Sequence, residues 1–294
     1  MSTDHSPRNW RCRDRTLSLD GRAAVMGVLN VTPDSFYDGG RYQHTEAALT
    51  RARAMIADGA DILDIGGASS RPGAEPVPER IELERVLPVI APLARETEVL
   101  LSVDTTRCAV ARAALEAGAH IVNDITAGQS EPAILSLAAE YQAGFVLMHM
   151  QGEPRTMQHQ PVYTDVVAEV GALLAERRRA ALAAGLLEDS LVLDPGIGFG
   201  KTYDHNWALL AGLPALAGLG SPLLVGVSRK RFLGELCGRD ADDRLAASLA
   251  AAMHALLHGA AIIRVHDVKE TCDLAAVVDR LRREEQRTSH GAHD

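Results

Sequence analysis

Eight short apolar runs punctuate the chain, at 24–29, 62–65, 99–103, 120–122, 145–148, 191–193, 222–227 and 261–265. Each has the length of a strand, is rich in aliphatic and β-branched residues, and is bounded by turn or polar residues. Between them lie stretches rich in Ala, Leu and Arg with helical period, among them 45–58, 107–117, 131–141, 165–184 and 242–257. Gly59, Gly118, Gly144, Gly185 and Gly259 follow these stretches, where helix C-caps belong. Strand then helix, eight times over, predicts an α/β chain folded as a single-domain (β/α)8 TIM barrel spanning 23–281. An open doubly wound sheet is the rival, and the even alternation of eight units favours closure. No linker rich in Pro, Gly or Ser divides the sequence. Residues 1–22 read as an extra strand or hairpin capping the barrel bottom, and 282–294 as a polar tail that frays.

In such a barrel the binding face lies at the C-terminal ends of the strands. Every run ends there in polar residues. The first gives Asn30, then VTPDSF, and the second Asp64, then GGASSRPGA. The third gives Asp104 and Thr105, the fourth Asn123 and Asp124, and the fifth His149. The sixth gives Asp194, then PGIGFGKT. The seventh gives Ser228, Arg229 and Lys230, and the eighth Arg264, His266 and Asp267. Packing accounts for one or two polar strand ends, not for eight. Asp64, Asp104, Asn123 and Asp194 suit a ligand with several N–H donors, because a carboxylate facing a planar amino-imino edge makes paired hydrogen bonds. Lys230 adds a donor. Arg71, Arg264 and His266 with Asn30 suit a phosphate or pyrophosphate, with Mg²⁺. A planar nitrogen heterocycle carrying a pyrophosphate would use both groups.

Other motif readings are weaker. GFGKT at 198–202 resembles a phosphate-binding P-loop, but Pro195 stands where that pattern requires its first glycine. Gly196, Gly198 and Gly200 are spaced GxGxG and do not match the dinucleotide fingerprint. His254 and His258 are four apart but lack the intervening Glu of a zinc protease, so they read as packing residues. His149 is either catalytic or a satisfied strand-end histidine.

Composition narrows the class. The 294 residues carry a formal net charge of −9, which disfavours a broad nucleic-acid-binding surface. No run of 18 apolar residues predicts a membrane span, and the N-terminal segment lacks the apolar stretch of a secretory signal. Cys12, Cys108, Cys237 and Cys272 are scattered, with no CxxC pair, as expected of reduced thiols in a cytoplasmic protein. Only three lysines occur, Lys201, Lys230 and Lys269. Codon composition explains this; so does a need for a compact ammonium at a few sites.

Taken together, the segments MGVLNVTPDSFYDGG, GADILDIGGASSRPGA, SVDTTR, IVNDI, LMHMQGEPRTMQ, LDPGIGFGKT, VGVSRKRFLG and IIRVHDV resemble the dihydropteroate synthase family, from about residue 25 to 271. The resemblance implies a homodimeric (β/α)8 barrel that condenses 7,8-dihydropterin-CH2-pyrophosphate with p-aminobenzoate, releasing pyrophosphate. It implies that Asp104, Asn123, Asp194 and Lys230 hold the pterin edge, that Met148, Phe199 and Gly226 line its pocket, and that Arg264 stacks over its ring. Asn30, Asp64, Arg71, Arg264 and His266 are implied to bind the pyrophosphate, with Asn30 near Mg²⁺. Asp104, Lys230, Arg264 and His266 are the implied catalytic set, Asp104 stabilising the methylene cation. Ser70, Arg71, Pro72 and Arg231 are implied for p-aminobenzoate, under loops at 32–42 and 68–78. The chain departs from the family pattern in reading GGASSRPG for GGESTRPG and SRKR for SRKS. Arg231 therefore either pairs with the aminobenzoate carboxylate or blocks its site. A pterin-binding paralogue with altered activity is the first rival reading. A corrinoid-linked pterin methyltransferase module is the second, disfavoured by the cations suited to a pyrophosphate leaving group.

Overall fold

The computed structural model describes residues 9–32, 41–69, 73–152 and 155–291. A two-stranded antiparallel hairpin, β1 (Asn9–Cys12) and β2 (Arg15–Ser18), precedes the barrel. The barrel strands are β3 (Ala24–Asn30), β4 (Ile62–Gly66), β5 (Leu100–Asp104), β6 (Ile121–Asp124), β7 (Gly144–Met148), β8 (Leu191–Asp194), β9 (Leu223–Val225) and β10 (Ala260–Val265). All pair in parallel with their chain neighbours, and β10 closes on β3 with Ile262 opposite Ala24. The helices are α1 (Arg41–Ala57), α2 (Glu79–Glu96), α3 (Cys108–Glu116), α4 (Ala133–Glu140), α5 (Val166–Ala183), α6 (Tyr203–Ala211), α7 (Leu213–Ala217), α8 (Arg231–Cys237), α9 (Leu245–Leu257) and α10 (Val268–Gly291). The closed barrel matches the sequence expectation and sets aside the open sheet.

Each strand splits its residues by parity, because successive side chains of a strand point to opposite faces. Val25, Leu63, Leu101, Val122, Phe145, Leu193, Val225 and Ile263 face outward into one large core shared with the helices. Met26, Ile62, Leu100, Ile121, Val146, Val192, Leu224 and Ile262 face inward and form a separate apolar floor. Trp10 of β1 joins that floor. Its ring is fully buried and its indole N–H donates to the Ser190 carbonyl at 2.9 Å. Arg13, in the turn of the hairpin, donates to the carbonyls of Leu115 and Ala119 at 2.7 and 2.8 Å. The hairpin therefore lies against the N-terminal ends of the strands.

Three details differ from the expectation. Gly59, Gly118, Gly185 and Gly259 do take the left-handed conformation, but at the fifth position Gln142 takes it instead. Gly144 begins β7, and a Cβ there would meet Cys12 Sγ at 2.7 Å, so hairpin packing explains this glycine. The run at 222–227 contributes only Leu223–Val225 to the sheet. The segment from 282 does not leave the fold where its polarity suggested: α10 runs on to Gly291. Glu284 pairs with Arg280 and Arg287 at 2.6 and 3.2 Å, contacts at i,i+3 and i,i+4 that sustain a polar helix.

Replacing Trp10 by Ala removes the ring that closes the floor. It is expected to cost about 3–5 kcal/mol of stability, as for other buried aromatic truncations, measured by urea unfolding. A loss under about 1 kcal/mol would show that the hairpin is not part of the folded core.

Candidate active site at the barrel mouth

Toward the C-terminal end of the barrel the inward positions turn polar. Asp64 on β4, Ser102 and Asp104 on β5, Asn123 on β6, Asp194 on β8 and Arg264 on β10 converge there. Arg264 joins them. Its Nε donates to Asp64 Oδ2 at 2.6 Å and its Nη2 to Asp104 Oδ2 at 2.9 Å. Asn123 Nδ2 donates to the same Asp64 oxygen at 2.9 Å. One guanidinium thus bridges carboxylates from two strands, with its side chain only 19% exposed. Burial and the nearby Asp64 push Asp104 up to about 7, while Arg264 opposes the rise. Burial also raises Asp194, against the Gly196 N–H that it accepts at 2.7 Å and the cations Lys230, Arg264 and Lys201.

Lys230 caps this cluster from the end of β9. Its Nζ lies 4.1 Å from the centroid of the Phe199 ring, a cation–π contact. Burial and Arg264 bring it down to about 8, with Asp194 and Asp104 opposing. Met148 is buried at the end of β7. A Cβ on Gly226 would lie 3.9 Å from Arg264 Cβ, so this glycine keeps the wall beside Arg264 open. The loop carrying Phe199 reaches inward because Gly196 has a φ of +64° and packs on β7: a Cβ there would fall 1.8 Å from the His149 carbonyl oxygen. The GFGKT segment is thus a close-packed wall of the mouth.

Ser228 Oγ accepts the His266 backbone N–H at 3.2 Å and lies 3.1 Å from His266 Nδ1. The Ser228 hydroxyl and the His266 ring thus share a hydrogen bond that fixes the ring's orientation. Burial and the cations Arg264, Arg229 and Lys230 hold His266 down at about 4. Arg229, at a φ of +56°, is locked by a two-pronged pair with Asp267 at 2.7 and 3.0 Å. A cavity of about 470 Å³ adjoins the cluster at Asp104, walled by Glu82, Thr105, Arg107, Thr126 and Met150.

The model for the pterin binding enzyme family matches residues 26–266. The dihydropteroate synthase of Escherichia coli strain K12 is 49% identical over 255 residues, covering 87% of this chain and 90% of that protein. The chain belongs to the dihydropteroate synthase family. The Synechocystis dihydropteroate synthase is 46% identical over 88% of this chain and 90% of its own length. The Xanthomonas albilineans enzyme solved with 4-aminobenzoic acid superposes with a TM-score of 0.88 at 47% identity, covering 94% of this chain and 99% of that one. The same enzyme with 7,8-dihydropteroate gives 0.84 at 45% identity, over 93% and 98%. The chain is accordingly a transferase of folate biosynthesis, joining 7,8-dihydropterin-CH2-pyrophosphate to p-aminobenzoate.

For a dihydropteroate synthase, most of the residues expected from the sequence meet at one place. Asp104, Asn123, Asp194, Lys230, Arg264, Met148, Phe199 and Gly226 surround the inner cluster, and His266 stands beside it on the β10 end. Asn30 ends β3, where a Cβ on Gly66 would lie 3.7 Å from its amide oxygen. Ser70, Arg71 and Pro72 lie outside the described residues, as do the loop residues 33–40. Two side chains stand apart from the rest. The Asp64 carboxylate is fully buried and engaged by Arg264 and Asn123. Arg231 points outward, its side chain 86% exposed and paired with Glu235 at 2.7 Å on the same helix. Of the two histidine readings, His149 takes the structural one, its Nδ1 accepting from Lys201 at 2.9 Å. His254 and His258 stack on each other at 4.0 Å, also as packing residues.

Sequence reasoning missed Glu82 of α2. Buried, it accepts from Thr105 Oγ1 at 2.6 Å and pairs with Arg107 at 3.3 Å, bracing the residue after Asp104. Its spacing to Val86, Val89 and Leu93 places a carboxylate on the buried stripe of α2, and that was the readable signal.

The neutral His266 sets a pH dependence. Its folded pKa, about 4, lies below the unfolded value of about 6.5. The unfolded chain therefore binds the extra proton between these limits. The ring's contribution to stability is complete above the upper limit and drains away as pH falls toward the lower. The stability difference between the native chain and His266→Gln, from urea unfolding, is expected to narrow over that window. A flat difference would mean that the ring is not buried as a neutral base.

Proposed function

We propose that this barrel mouth runs the dihydropteroate synthase reaction through the charged cluster bridged by Arg264. The observation that carries the assignment of roles is the layering itself. Buried acceptors from β5, β6 and β8 stand together, with cationic or neutral N–H donors from β10 and the β9 end beside them. Asp194, Asn123 and Asp104 would take the amino-imino edge of the pterin, and Lys230 would donate to its acceptor atoms. Met148, Phe199 and Gly226 would form the walls. Arg264, held by Asp64 and Asp104, would offer its guanidinium face for stacking, and its free N–H groups to the pyrophosphate. In this reading Asp64 positions Arg264 and Asn123 and touches no substrate. The neutral His266 would donate to a phosphate oxygen through Nε2. Arg71 would add a further cation, and Ser70 and Pro72 would contact p-aminobenzoate. The relatives solved with 4-aminobenzoic acid and with 7,8-dihydropteroate support this reading.

In the reaction the amine nitrogen of p-aminobenzoate forms a bond to the pterin methylene carbon. The carbon–oxygen bond to pyrophosphate breaks with its electron pair leaving on oxygen, and the nitrogen loses a proton. Positive charge builds on the methylene and its conjugated ring as the leaving group departs. Asp104 faces that charge in a site where water screens little, so its carboxylate favours the transition state over the ground state. The arylamine is a neutral nucleophile and needs no strong general base.

The mouth also suits Mg²⁺. Among the described residues no group of three or more His, Cys, Asp or Glu side chains could hold a metal unaided. Asn30 offers an amide oxygen, while Asp64 and Asp104 are engaged by Arg264. That donor set fits an ion bound mainly by substrate phosphates and water, as Mg²⁺ prefers. Bound there, Mg²⁺ would neutralise charge on the departing pyrophosphate.

The partner in solution would be a second copy of this chain. Leu245, Met253 and Leu257 of α9 and Val277 and Leu281 of α10 are exposed on two helices that pack together. Such a patch is costly to leave in water. No helix among the described residues is long and apolar enough to cross a membrane, and the four cysteines are free thiols, in keeping with a cytoplasmic enzyme.

Pyrophosphate release from the dihydropterin pyrophosphate, with Mg²⁺, is expected only when p-aminobenzoate is present. Asp104→Asn should lower kcat about a hundredfold. Pterin binding without pyrophosphate release would instead support the altered paralogue. Met253→Glu is expected to turn a dimer into a monomer in velocity sedimentation. A native chain that already sediments as a monomer at micromolar concentration would remove the dimer.

A further inference from the structure

Lys201 is one of three lysines in the chain, and it is 2% exposed. Its ammonium has three neutral partners: His149 Nδ1 at 2.9 Å, the Phe199 carbonyl at 2.9 Å and the His149 carbonyl at 3.4 Å. Burying a charge against neutral acceptors is expensive. A methionine would fill such a space at far lower cost if packing were the only need. The location is informative. A Cβ on Gly196 would lie 3.4 Å from Lys201 Nζ, and the N–H of the same Gly196 donates to Asp194 Oδ1 at 2.7 Å. The ammonium and the carboxylate therefore flank one residue.

We propose that Lys201 is a positioning residue of this site: it ties the 196–200 loop to the end of β7 and keeps the neighbouring Asp194 an anionic acceptor for the N–H edge of the substrate. The inference rests on the reading of Asp194 given above. The loop part follows from the contacts. Lys201 holds the Phe199 carbonyl, the Phe199 ring carries Lys230, Gln158 donates to the Gly198 carbonyl and Tyr163 to that of Gly200. The charge part follows from what faces Asp194. Lys230 after β9, Arg264 of β10 and Lys201 are its cations. Arg264 is already shared between Asp64 and Asp104, and Lys230 also lies near Asp104. That leaves Lys201 as the cation engaged with no other carboxylate. His149 faces it from the β7 end and is held neutral, down at about 3, by burial and by Lys201 itself. Burial in turn brings Lys201 down to about 7, with Asp194 opposing the fall and Lys230 adding to it.

Electrostatic support between two groups is reciprocal, so it can be read from either side. Lys201→Gln keeps an N–H for the Phe199 carbonyl and removes the charge. Its Asp194 should titrate about one unit or more higher in carboxylate-labelled ¹³C spectra. The acid limb of its kcat/KM profile should move up with it, and Lys201→Arg should restore that limb. Conversely, Asp194→Asn should lower the Lys201 midpoint in spectra of ¹³Cε-labelled lysine, where three signals are easily assigned. An unmoved Asp194 midpoint in Lys201→Gln, or an unmoved Lys201 midpoint in Asp194→Asn, would overturn the proposal. If the Gln variant does not fold, the Asn arm decides alone. The spectroscopic arms need no turnover, and native activity is measured separately, so failure of the synthase reading is distinguishable from failure of this inference.

Discussion

Everything at the mouth of this barrel hangs on Arg264. A guanidinium fixed between Asp64 and Asp104 lets two carboxylates from adjacent strands sit inside a low-dielectric barrel without repelling each other apart. It also orders their neighbours. Asp64 takes both Arg264 and Asn123 on a single oxygen, and Asp104 keeps one oxygen for a ligand. Such a cluster is a poor way to stabilise a fold, because well-packed apolar residues would do so at lower desolvation cost. The barrel tolerates it because its two ends divide the labour. The floor, from Met26 to Ile262 and closed by Trp10, is apolar throughout, and the polar residues begin one inward position above it.

The same division explains which parts of the fold were legible in the sequence. Strand runs such as 62–65 and 191–193 are almost wholly apolar, since both faces of each strand are buried. They read clearly, and the polar residue that ends each one read clearly as the mouth. The pattern failed where one residue serves two structures. Gly144 looks like a helix cap because it follows a helix, but its missing side chain makes room for the hairpin. The polar segment after 282 reads as a tail because it has no apolar stripe. Its helix is carried by ion pairs between neighbouring turns, a signal independent of hydrophobic period.

Within the site, residue type was legible and contact was not. Asp104, Asn123, Asp194 and Lys230 declared themselves by ending apolar runs. Asp64 stood out as the one charge inside its run, one inward step deeper than Asp104, where it holds Arg264. Arg231 is the opposite case. It adjoins Lys230 in sequence, but the turn into α8 sends its side chain to solvent and Glu235. Glu82 and Lys201 lie outside the strand-end pattern, one on a helix and the other in a loop. Each is a buried charge, Glu82 paired with Arg107 and Lys201 held by neutral acceptors, and only a fold can show what each one faces.

The cations of the mouth differ in what else they hold, and this sets what each can do for a ligand. Arg264 is committed to two carboxylates, and Arg229 to Asp267, so both are fixed in orientation. Lys230 rests on an aromatic face and lies near two carboxylates, so its charge can follow a substrate as it binds. Lys201 holds only neutral partners and spends its charge on the field around Asp194. A chain that uses arginine almost everywhere thus keeps lysine at two points of this site where a compact, titratable ammonium differs in kind from a guanidinium. On this view the scarcity of lysine marks chemistry at Lys201 and Lys230.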